Sequence, residues 1–445
     1  MDNKKEIEEN IENVTQEMKS KKSNKGKSKA KKIIIVLAVL AVLGAAGLYI
    51  LDKYDIPSYI KNRKNYSQII DRNYKDTKKV KLKFPEKKRN LIFVYLESME
   101  TTYADEASGG ESEENYIPEL TKLDMENECF RGDSDKINGP YVLDRCWWTM
   151  SGMFAQTTGL PLYSKLIPNE TSIFENTFYP GVTSLGDILN DQGYKQVILM
   201  GEDGGFASTD VYYKTHGDFE IHDYYYAQEH GDIPKDYFQW NGYEDKKLFE
   251  IAKKEITELS QKDEPFNYTM ATMDTHPEGG YVCDLCKDEF DDQYENVIAC
   301  SSKQLGEFVE WIKEQPFYDN TTVILSGDHC TMDMEYAEKL SDKQYRHTYM
   351  CIINSAVKND NPEKREYATI DVFPTTLASL GVDIKGDRLG LGTNLYSKKK
   401  TMVERYGVDL LNIEVFKDSQ KMKTIFYSKE EDDYYKKLEK QESGE

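Results

Sequence analysis

The sequence is short of positive charge. Its 445 residues include 58 Lys and Arg against 79 Asp and Glu, a formal net charge of -21. Residues 1–32 contain ten Lys and six acidic residues, or +4, so the rest of the chain carries -21 - 4 = -25. Nucleic-acid binding depends on basic patches, so this composition argues against a nucleic-acid partner. It is compatible with a metal ion or with a local pocket for an anionic head group.

Charged residues and proline are both absent from residues 33–51, a run of nineteen residues that is long enough to cross a bilayer. Residues 19–32 hold eight Lys and no acid, which predicts a cytoplasmic N-terminus. A signal peptide would have a shorter apolar region. We therefore expect a disordered cytoplasmic tail (1–32), a retained transmembrane helix (33–51) and a juxtamembrane linker (52–88). An extracytoplasmic domain (89–415) and a charged C-terminal helix or tail (416–445) would follow.

The chain has only seven cysteines, and no second Cys pair stands at a zinc-site spacing from Cys283-x-x-Cys286. With Cys300 close behind, this pair predicts a local disulfide staple in an oxidising exterior. A zinc half-site is the alternative interpretation. We expect Cys330 and Cys351 to be buried and reduced.

From residue 89 onwards, strand and helix patterns alternate. Predicted strands cover 90–96, 195–200, 266–273, 321–326 and 348–353. Predicted helices cover 149–157, 184–192, 246–259, 296–315 and 371–380. This alternation predicts an α/β/α sandwich with a mostly parallel central sheet.

Two of the predicted strands end in potential metal ligands. The run Thr322-Val323-Ile324-Leu325 leads into Asp328 and His329, and the run from Asn90 leads into Glu97. In open α/β sheets, ligands bind outside the carboxyl ends of the strands. Oxygen and nitrogen donors at this edge suit a divalent metal ion, so the pattern predicts a metalloenzyme.

Two further segments carry candidate chemistry. Thr149, at a predicted helix start, would place a hydroxyl near unpaired N–H groups and the positive end of the helix dipole. An ordinary N-cap threonine would look the same. His276 follows an apolar strand, where it could bind metal or phosphate, transfer protons, or be a purely structural histidine.

Together these segments resemble the phosphoglycerol transferase branch of the alkaline phosphatase and sulfatase superfamily, which includes the lipoteichoic acid synthases. The glucan-type phosphoglycerol transferases look closest. The matching segments run in family order: NLIFVYLESMETTY (90–103), WTMSGMFAQTTGLPL (148–162), TSLGDILNDQGY (183–194), DTHPEGGYVC (274–283), VIACSSKQLGEFVEWIK (297–313) and TTVILSGDHCTMD (321–333). The resemblance implies an alkaline-phosphatase-like fold.

The resemblance also implies roles for individual residues. Glu97, Asp328 and His329 would hold one divalent cation, Mn²⁺ or Mg²⁺, with Zn²⁺ as a further possibility. Thr149 would complete that set of ligands and act as the nucleophile. His276 would bind the phosphoglycerol group. The polar contact to the glycerol head group would come from Glu202 or Asp203.

One segment departs from the family. Lipoteichoic acid synthases have Trp-Asn-Arg-Asp where this chain has Ala207-Ser208-Thr209-Asp210, so the arginine that holds phosphate is missing. Arg145, four residues before Thr149, is the expected substitute, and Lys214 is a weaker one. We expect His216 to be structural.

The function implied by the resemblance is transfer of glycerophosphate from phosphatidylglycerol to a glycan or teichoic acid of the bacterial cell envelope. A formylglycine sulfatase would need a Cys-x-Pro-Ser-Arg segment, which the sequence lacks. A phosphoethanolamine transferase would use a similar threonine. An inactive binding domain is a third alternative, although all four metal-site residues are present.

Overall fold

The computed structural model describes residues 66–162, 177–340, 345–417 and 419–426. The strands are β1 Leu82–Lys83, β2 Asn90–Leu96, β3 Lys195–Met200, β4 Glu220–His222, β5 Phe266–Ala271, β6 Thr321–Gly327, β7 Met350–Ile353, β8 Asp383–Ile384, β9 Arg388–Leu389 and β10 Gly392–Thr393. The α-helices are α1 Gln68–Asn73, α2 Pro118–Glu126, α3 Thr149–Thr158, α4 Leu185–Asp191, α5 Thr209–Thr215, α6 Tyr224–His230, α7 Asp245–Ser260, α8 Gln293–Lys313, α9 Met334–Leu340, α10 Val372–Ser379, α11 Met402–Tyr406, α12 Val408–Phe416 and α13 Gln420–Phe426.

Six strands form the central sheet in the order β4-β3-β5-β2-β6-β7. Only β7, at one edge, runs antiparallel to its neighbour β6. The predicted α/β fold with a mostly parallel sheet is confirmed. The five predicted strands and five predicted helices all form, with ends that differ by no more than three residues.

The central strand β2 shows why the sheet is buried on both faces. Leu91, Phe93 and Tyr95 join one apolar cluster, which includes Met153 and Phe154 of α3. Ile92, Val94 and Leu96 join the other, which includes residues of α2, α7 and α8. Because successive strand side chains point to opposite faces, one uncharged run fills both cores and completes the α/β/α sandwich.

The compact unit begins at Tyr66 rather than at residue 89. Within the predicted linker (52–88), Ile70 of α1 is buried and Ser67 Oγ donates to Glu414 Oε2 at 2.5 Å. At the other end, Met422 and Phe426 of α13 are buried in the core. Helix α1 contacts α12 and α13, more than 300 positions later in the chain, which local composition did not reveal.

The predicted transmembrane segment, 33–51, lies outside the described residues. Within the described ranges, no helix combines the length and apolarity that a membrane crossing requires. All seven cysteines are free thiols, Cys351 buried and Cys330 half-buried. The predicted staple is therefore not formed, since Cys283 Sγ lies 3.7 Å from the Sγ of both Cys286 and Cys300.

Candidate active site

Strand register brings the three candidate metal ligands together. Leu96 of β2 is paired with Gly327 of β6, so Glu97 and Asp328 leave the sheet side by side. With His329, they offer ligand atoms that all lie within 4.8 Å of one another. All three side chains are buried. The site thus lies at the carboxyl edge of the sheet.

Hydrogen bonds orient each ligand. Asp328 Oδ1 accepts from the backbone N–H groups of Ser98 (3.0 Å) and His329 (2.8 Å). Ser98 Oγ donates to Glu97 Oε1 at 2.6 Å. His329 Nδ1 lies 2.8 Å from the Cys330 carbonyl oxygen, and since that oxygen can only accept, Nδ1 carries the hydrogen. His329 Nε2 therefore faces the carboxyl groups, 3.4 Å from Asp328 Oδ2, and is the ring nitrogen available to a metal.

The buried carboxylates repel one another. Burial, reinforced by the charge of Glu97, raises the pKa of Asp328 to about 8. Burial lowers the pKa of His329, but the charges of Asp328 and Glu97 outweigh it, and the net shift is upward. A cation would relieve this repulsion. Two carboxylates and an imidazole nitrogen are also the donors that Mn²⁺, Mg²⁺ and Zn²⁺ accept, so these residues fit a divalent metal.

Thr149 presents its hydroxyl to this cluster. It is the first residue of α3, and its Oγ1 lies 3.4 Å from Glu97 Oε2 and 3.3 Å from His329 Nε2. Ser151 closes the helix start by accepting from the Trp148 backbone N–H at 3.1 Å. Unlike the three ligands, Thr149 is only half-buried, which leaves its hydroxyl open to a substrate.

The helix is held against the strand end by two contacts that the sequence reasoning missed. Gln156 Nε2 donates to the Gly327 carbonyl at 2.8 Å. A β-carbon on Gly152 would lie 2.2 Å from the carbonyl oxygen of Asp328. The glycine within the predicted helix 149–157 was the available sequence signal, because such a glycine often marks a close approach of two backbones. Ser98 was also missed, although it directly follows Glu97.

The loop after β5 carries His276 to the same edge. Glu97 is clamped by this loop, because its N–H donates to Thr272 Oγ1 (3.1 Å) and its carbonyl accepts from Thr275 Oγ1 (2.6 Å). His276, the next residue, is half-buried. Its Nδ1 lies 2.7 Å from the Pro277 carbonyl oxygen, so Nδ1 carries a hydrogen and Nε2 is left for other contacts.

Glu202 and Asp203 follow β3 and differ in environment. Burial, with the charges of Glu97, Asp203 and Asp328, raises the pKa of Glu202 to about 8. The charges of Glu97 and Asp328 therefore act on the Glu202 carboxyl group. Asp203 is exposed, and its Oδ1 accepts from the Gly205 N–H at 2.8 Å, which closes the turn. Of the two, Glu202 is the less exposed residue.

The basic candidates are engaged elsewhere. Arg145 Nε donates to the Val415 carbonyl at 3.0 Å, and Arg145 Nη2 donates to that of Phe416 at 3.2 Å. Arg145 thus contacts the last turn of α12, and its expected binding of phosphate stays a prediction. The Nζ of Lys214 lies 4.0 Å from Asp218 Oδ1 on an exposed face. Buried His216 is hydrogen-bonded through Nδ1 to Asp187 Oδ2 and through Nε2 to the Phe178 carbonyl oxygen.

Comparison with known proteins identifies the family of this chain. The family model described as "Sulfatase" matches residues 144–382, more than half of the chain. This chain belongs to the sulfatase family. Within that family it resembles proteins named phosphoglycerol transferase I: that of Xanthomonas campestris pv. campestris (strain B100) is 29% identical over 320 residues. That of Shigella flexneri is 31% identical over 338 residues. These matches cover 70% and 73% of this chain but 43% and 41% of the relatives.

Solved structures support the same sulfatase-family fold. The lipoteichoic acid synthase LtaP from Listeria monocytogenes aligns with a TM-score of 0.52 at 19% identity, covering 72% of this chain and 80% of LtaP. An alkaline phosphatase superfamily protein from Vibrio parahaemolyticus aligns with a TM-score of 0.51 at 20% identity, covering 71% of this chain and 70% of that one. The predicted family resemblance is confirmed.

Proposed function

We propose that this chain is a membrane-anchored, extracytoplasmic phosphoglycerol transferase that depends on a divalent metal. It moves glycerophosphate from phosphatidylglycerol to a glycan or teichoic acid of the bacterial cell envelope. The names of the curated relatives support this transfer chemistry. The apolar run 33–51 supports an anchor, which would keep the enzyme beside a lipid donor.

The contact of Thr149 Oγ1 with Glu97 and His329 carries the proposal. A neutral threonine hydroxyl is a poor nucleophile and needs activation. A divalent cation bound by Glu97, Asp328 and His329 would lower the pKa of the hydroxyl and offset the charge of the phosphate. The donor set favours Mn²⁺ or Mg²⁺ and also accepts Zn²⁺.

The proposed reaction has two steps, formation and breakdown of a covalent adduct on Thr149. Thr149 Oγ attacks phosphorus and gives up its hydroxyl proton, while the bond from phosphorus to the diacylglycerol oxygen breaks. The leaving oxygen takes up one proton and departs as diacylglycerol, and glycerophosphate stays on Thr149. His276, with Nε2 as its free nitrogen, steadies the phosphate or carries the proton that the leaving oxygen takes up. Glu202 contacts the glycerol hydroxyls. An acceptor hydroxyl next attacks phosphorus, the bond to Oγ breaks, and Thr149 recovers its proton.

The test uses the full chain in detergent with Mn²⁺ and two substrates, phosphatidylglycerol and phosphatidylethanolamine. We expect diacylglycerol release from phosphatidylglycerol alone, its loss on addition of a chelator, and its loss in Thr149→Ala. Release from phosphatidylethanolamine alone would instead indicate a phosphoethanolamine transferase. Absence of release from both lipids by folded, metal-loaded protein would contradict the proposal and favour a binding domain.

A further inference from the structure

Three cysteines converge beside the loop that carries His276. Cys283 and Cys286 lie on that loop, whereas Cys300 lies on α8. Their sulfur atoms all lie within 4.8 Å of one another. Cys283 Sγ is the hub, 3.7 Å from Cys286 Sγ and 3.7 Å from Cys300 Sγ.

These separations match a metal site better than a disulfide. A disulfide needs its sulfurs about 2.0 Å apart, and one such bond would leave the third cysteine of this cluster unused. Zinc–sulfur bonds of about 2.3 Å in a tetrahedron place the sulfurs about 3.8 Å apart. Two of the three separations, at 3.7 Å, therefore match the spacing of thiolates around one zinc ion, and the third is within 4.8 Å.

Hydrogen bonding near the three sulfur atoms is also compatible with thiolates. The Cys286 backbone N–H donates to the Cys283 carbonyl at 3.2 Å, which closes the Cys-x-x-Cys turn and brings its two sulfurs to one side. Gln304 Nε2 donates to Cys300 Sγ at 3.5 Å. Such hydrogen bonds stabilise the negative sulfur and orient it toward a metal.

The surroundings favour a cation as well. The buried carboxylates of Asp245 and Asp274 lie close enough to Cys283 for their charges to interact. Lys246, which neighbours Asp245 in the chain, is paired with Asp284 on the surface at 2.7 Å. A dication among the thiolates would favour the ionised form of these two carboxyl groups.

We propose that Cys283, Cys286 and Cys300 bind one zinc ion, separate from the cation of the active site, with a water molecule in the fourth position. Binding displaces the thiol protons. The ion would fasten the loop 274–286 to α8. That loop is already tied to α8, because Tyr294 Oη donates to the Thr275 carbonyl at 2.7 Å. The zinc would therefore help to hold the segment that presents His276.

The first test measures zinc in the full chain, purified in detergent and dialysed against metal-free buffer, and needs no substrate. Wild type and Asp328→Asn should each keep one thiolate-bound zinc, because that substitution affects only the active-site cation. Cys283→Ser should lose it. The matched control, Cys129→Ala, alters a buried thiol outside the cluster and should keep it. Cobalt loaded in place of zinc should give thiolate charge-transfer absorption in the same pattern.

A second test needs no variant, which matters if Cys283→Ser folds poorly. In wild type, alkylation followed by peptide mass analysis should find these three cysteines protected until a chelator is added. The proposal is overturned if protection is relieved only by a reductant, since that marks a disulfide. It is equally overturned if the three thiols react freely in zinc-loaded protein, or if Cys129→Ala loses as much zinc as Cys283→Ser.

Discussion

Gly152 lies directly against the backbone of Asp328: a β-carbon at position 152 would be 2.2 Å from the Asp328 carbonyl oxygen. This close backbone contact sets the position of α3 against the end of β6. Thr149, three residues earlier, thereby reaches the cluster, with its Oγ1 3.3 Å from His329 Nε2. The position of the candidate nucleophile therefore depends on a residue that has no side chain.

The substitution Gly152→Ala tests this dependence. A methyl group there must push α3 off the strand end, and a misplacement of about 1 Å can cost on the order of 100-fold in rate. We expect a fall in diacylglycerol release of at least about 10-fold. Thermal unfolding of the same variant reports the overpacking, which typically costs about 1–3 kcal/mol.

The matched control for Gly152→Ala is Gly306→Ala. Gly306 is also helical, but a β-carbon there would meet only the side chain of Glu119, at 2.9 Å. Since the nearest atom, Glu119 Cβ, is fixed to α2, Gly306→Ala should also be overpacked. No residue of the ligand cluster is contacted, however, so activity should stay near the wild-type level. Equal losses of activity in the two variants would contradict a special role for the Gly152 contact.

Asp328→Asn tests the ligand cluster in two ways. The variant should bind Mn²⁺ much more weakly by calorimetry and lose activity by about 10³-fold or more. In chelator-treated protein at neutral pH, however, it should unfold at the same or a higher denaturant concentration than wild type. The buried wild-type carboxyl must take up a proton on folding, whereas the amide need not. Glu220→Gln, at an exposed ion pair with Lys195, is the control. Strong destabilisation of metal-free Asp328→Asn would argue for a structural carboxylate.

Arg145→Ala separates a structural arginine from a phosphate ligand. Loss of its bonds to the Val415 and Phe416 carbonyls should lower the free energy of unfolding by about 1.5–3 kcal/mol. The KM for phosphatidylglycerol should change little. Arg145→Lys, which keeps the charge but not the forked geometry, should be almost as unstable. A KM that rises several-fold with stability intact would restore the phosphate-binding role.

The buried carboxyl of Asp124, which lies outside the candidate site, should make the free energy of unfolding depend on pH. Burial, opposed by Cys129 and by Arg131 at 3.8 Å, raises its pKa from 3.8 to about 7. The folded state then holds a proton that the unfolded chain releases. Its contribution is complete below about pH 4 and declines as the pH rises toward about 7, by at most about 1.4 kcal/mol per pH unit.

Urea unfolding at several pH values should show this decline in wild type and a flatter profile in Asp124→Asn. Glu126→Gln, a half-exposed position on the same helix, should follow wild type. Identical profiles for all three proteins would mean that Asp124 is not protonated in the fold.

The sheet and the metal-ligand cluster were predictable because both follow from local patterns. Uncharged β-branched runs identified β2 and β6, and parallel register then placed Glu97 beside Asp328. Contacts between distant segments were not predictable. The role of Arg145 depends on carbonyls some 270 positions away, and Ile70 packs near the C-terminal helices although its neighbours in sequence look like linker.

The Cys cluster shows the same limit. The pair Cys283-x-x-Cys286 was visible in the sequence, but spacing alone did not show that Cys300 on α8 comes as close to Cys283 as Cys286 does. Sequence separation therefore favoured a disulfide, whereas three-dimensional distances favour three ligands.

The most direct measurement is the intact mass of the full chain after brief incubation with phosphatidylglycerol and Mn²⁺, in the absence of an acceptor. The account predicts that wild type gains the mass of one glycerophosphate, mapped by peptide analysis to Thr149, while diacylglycerol is released and Thr149→Ala gains nothing. Diacylglycerol release by Thr149→Ala at the wild-type rate, or an adduct on any other residue, would contradict it.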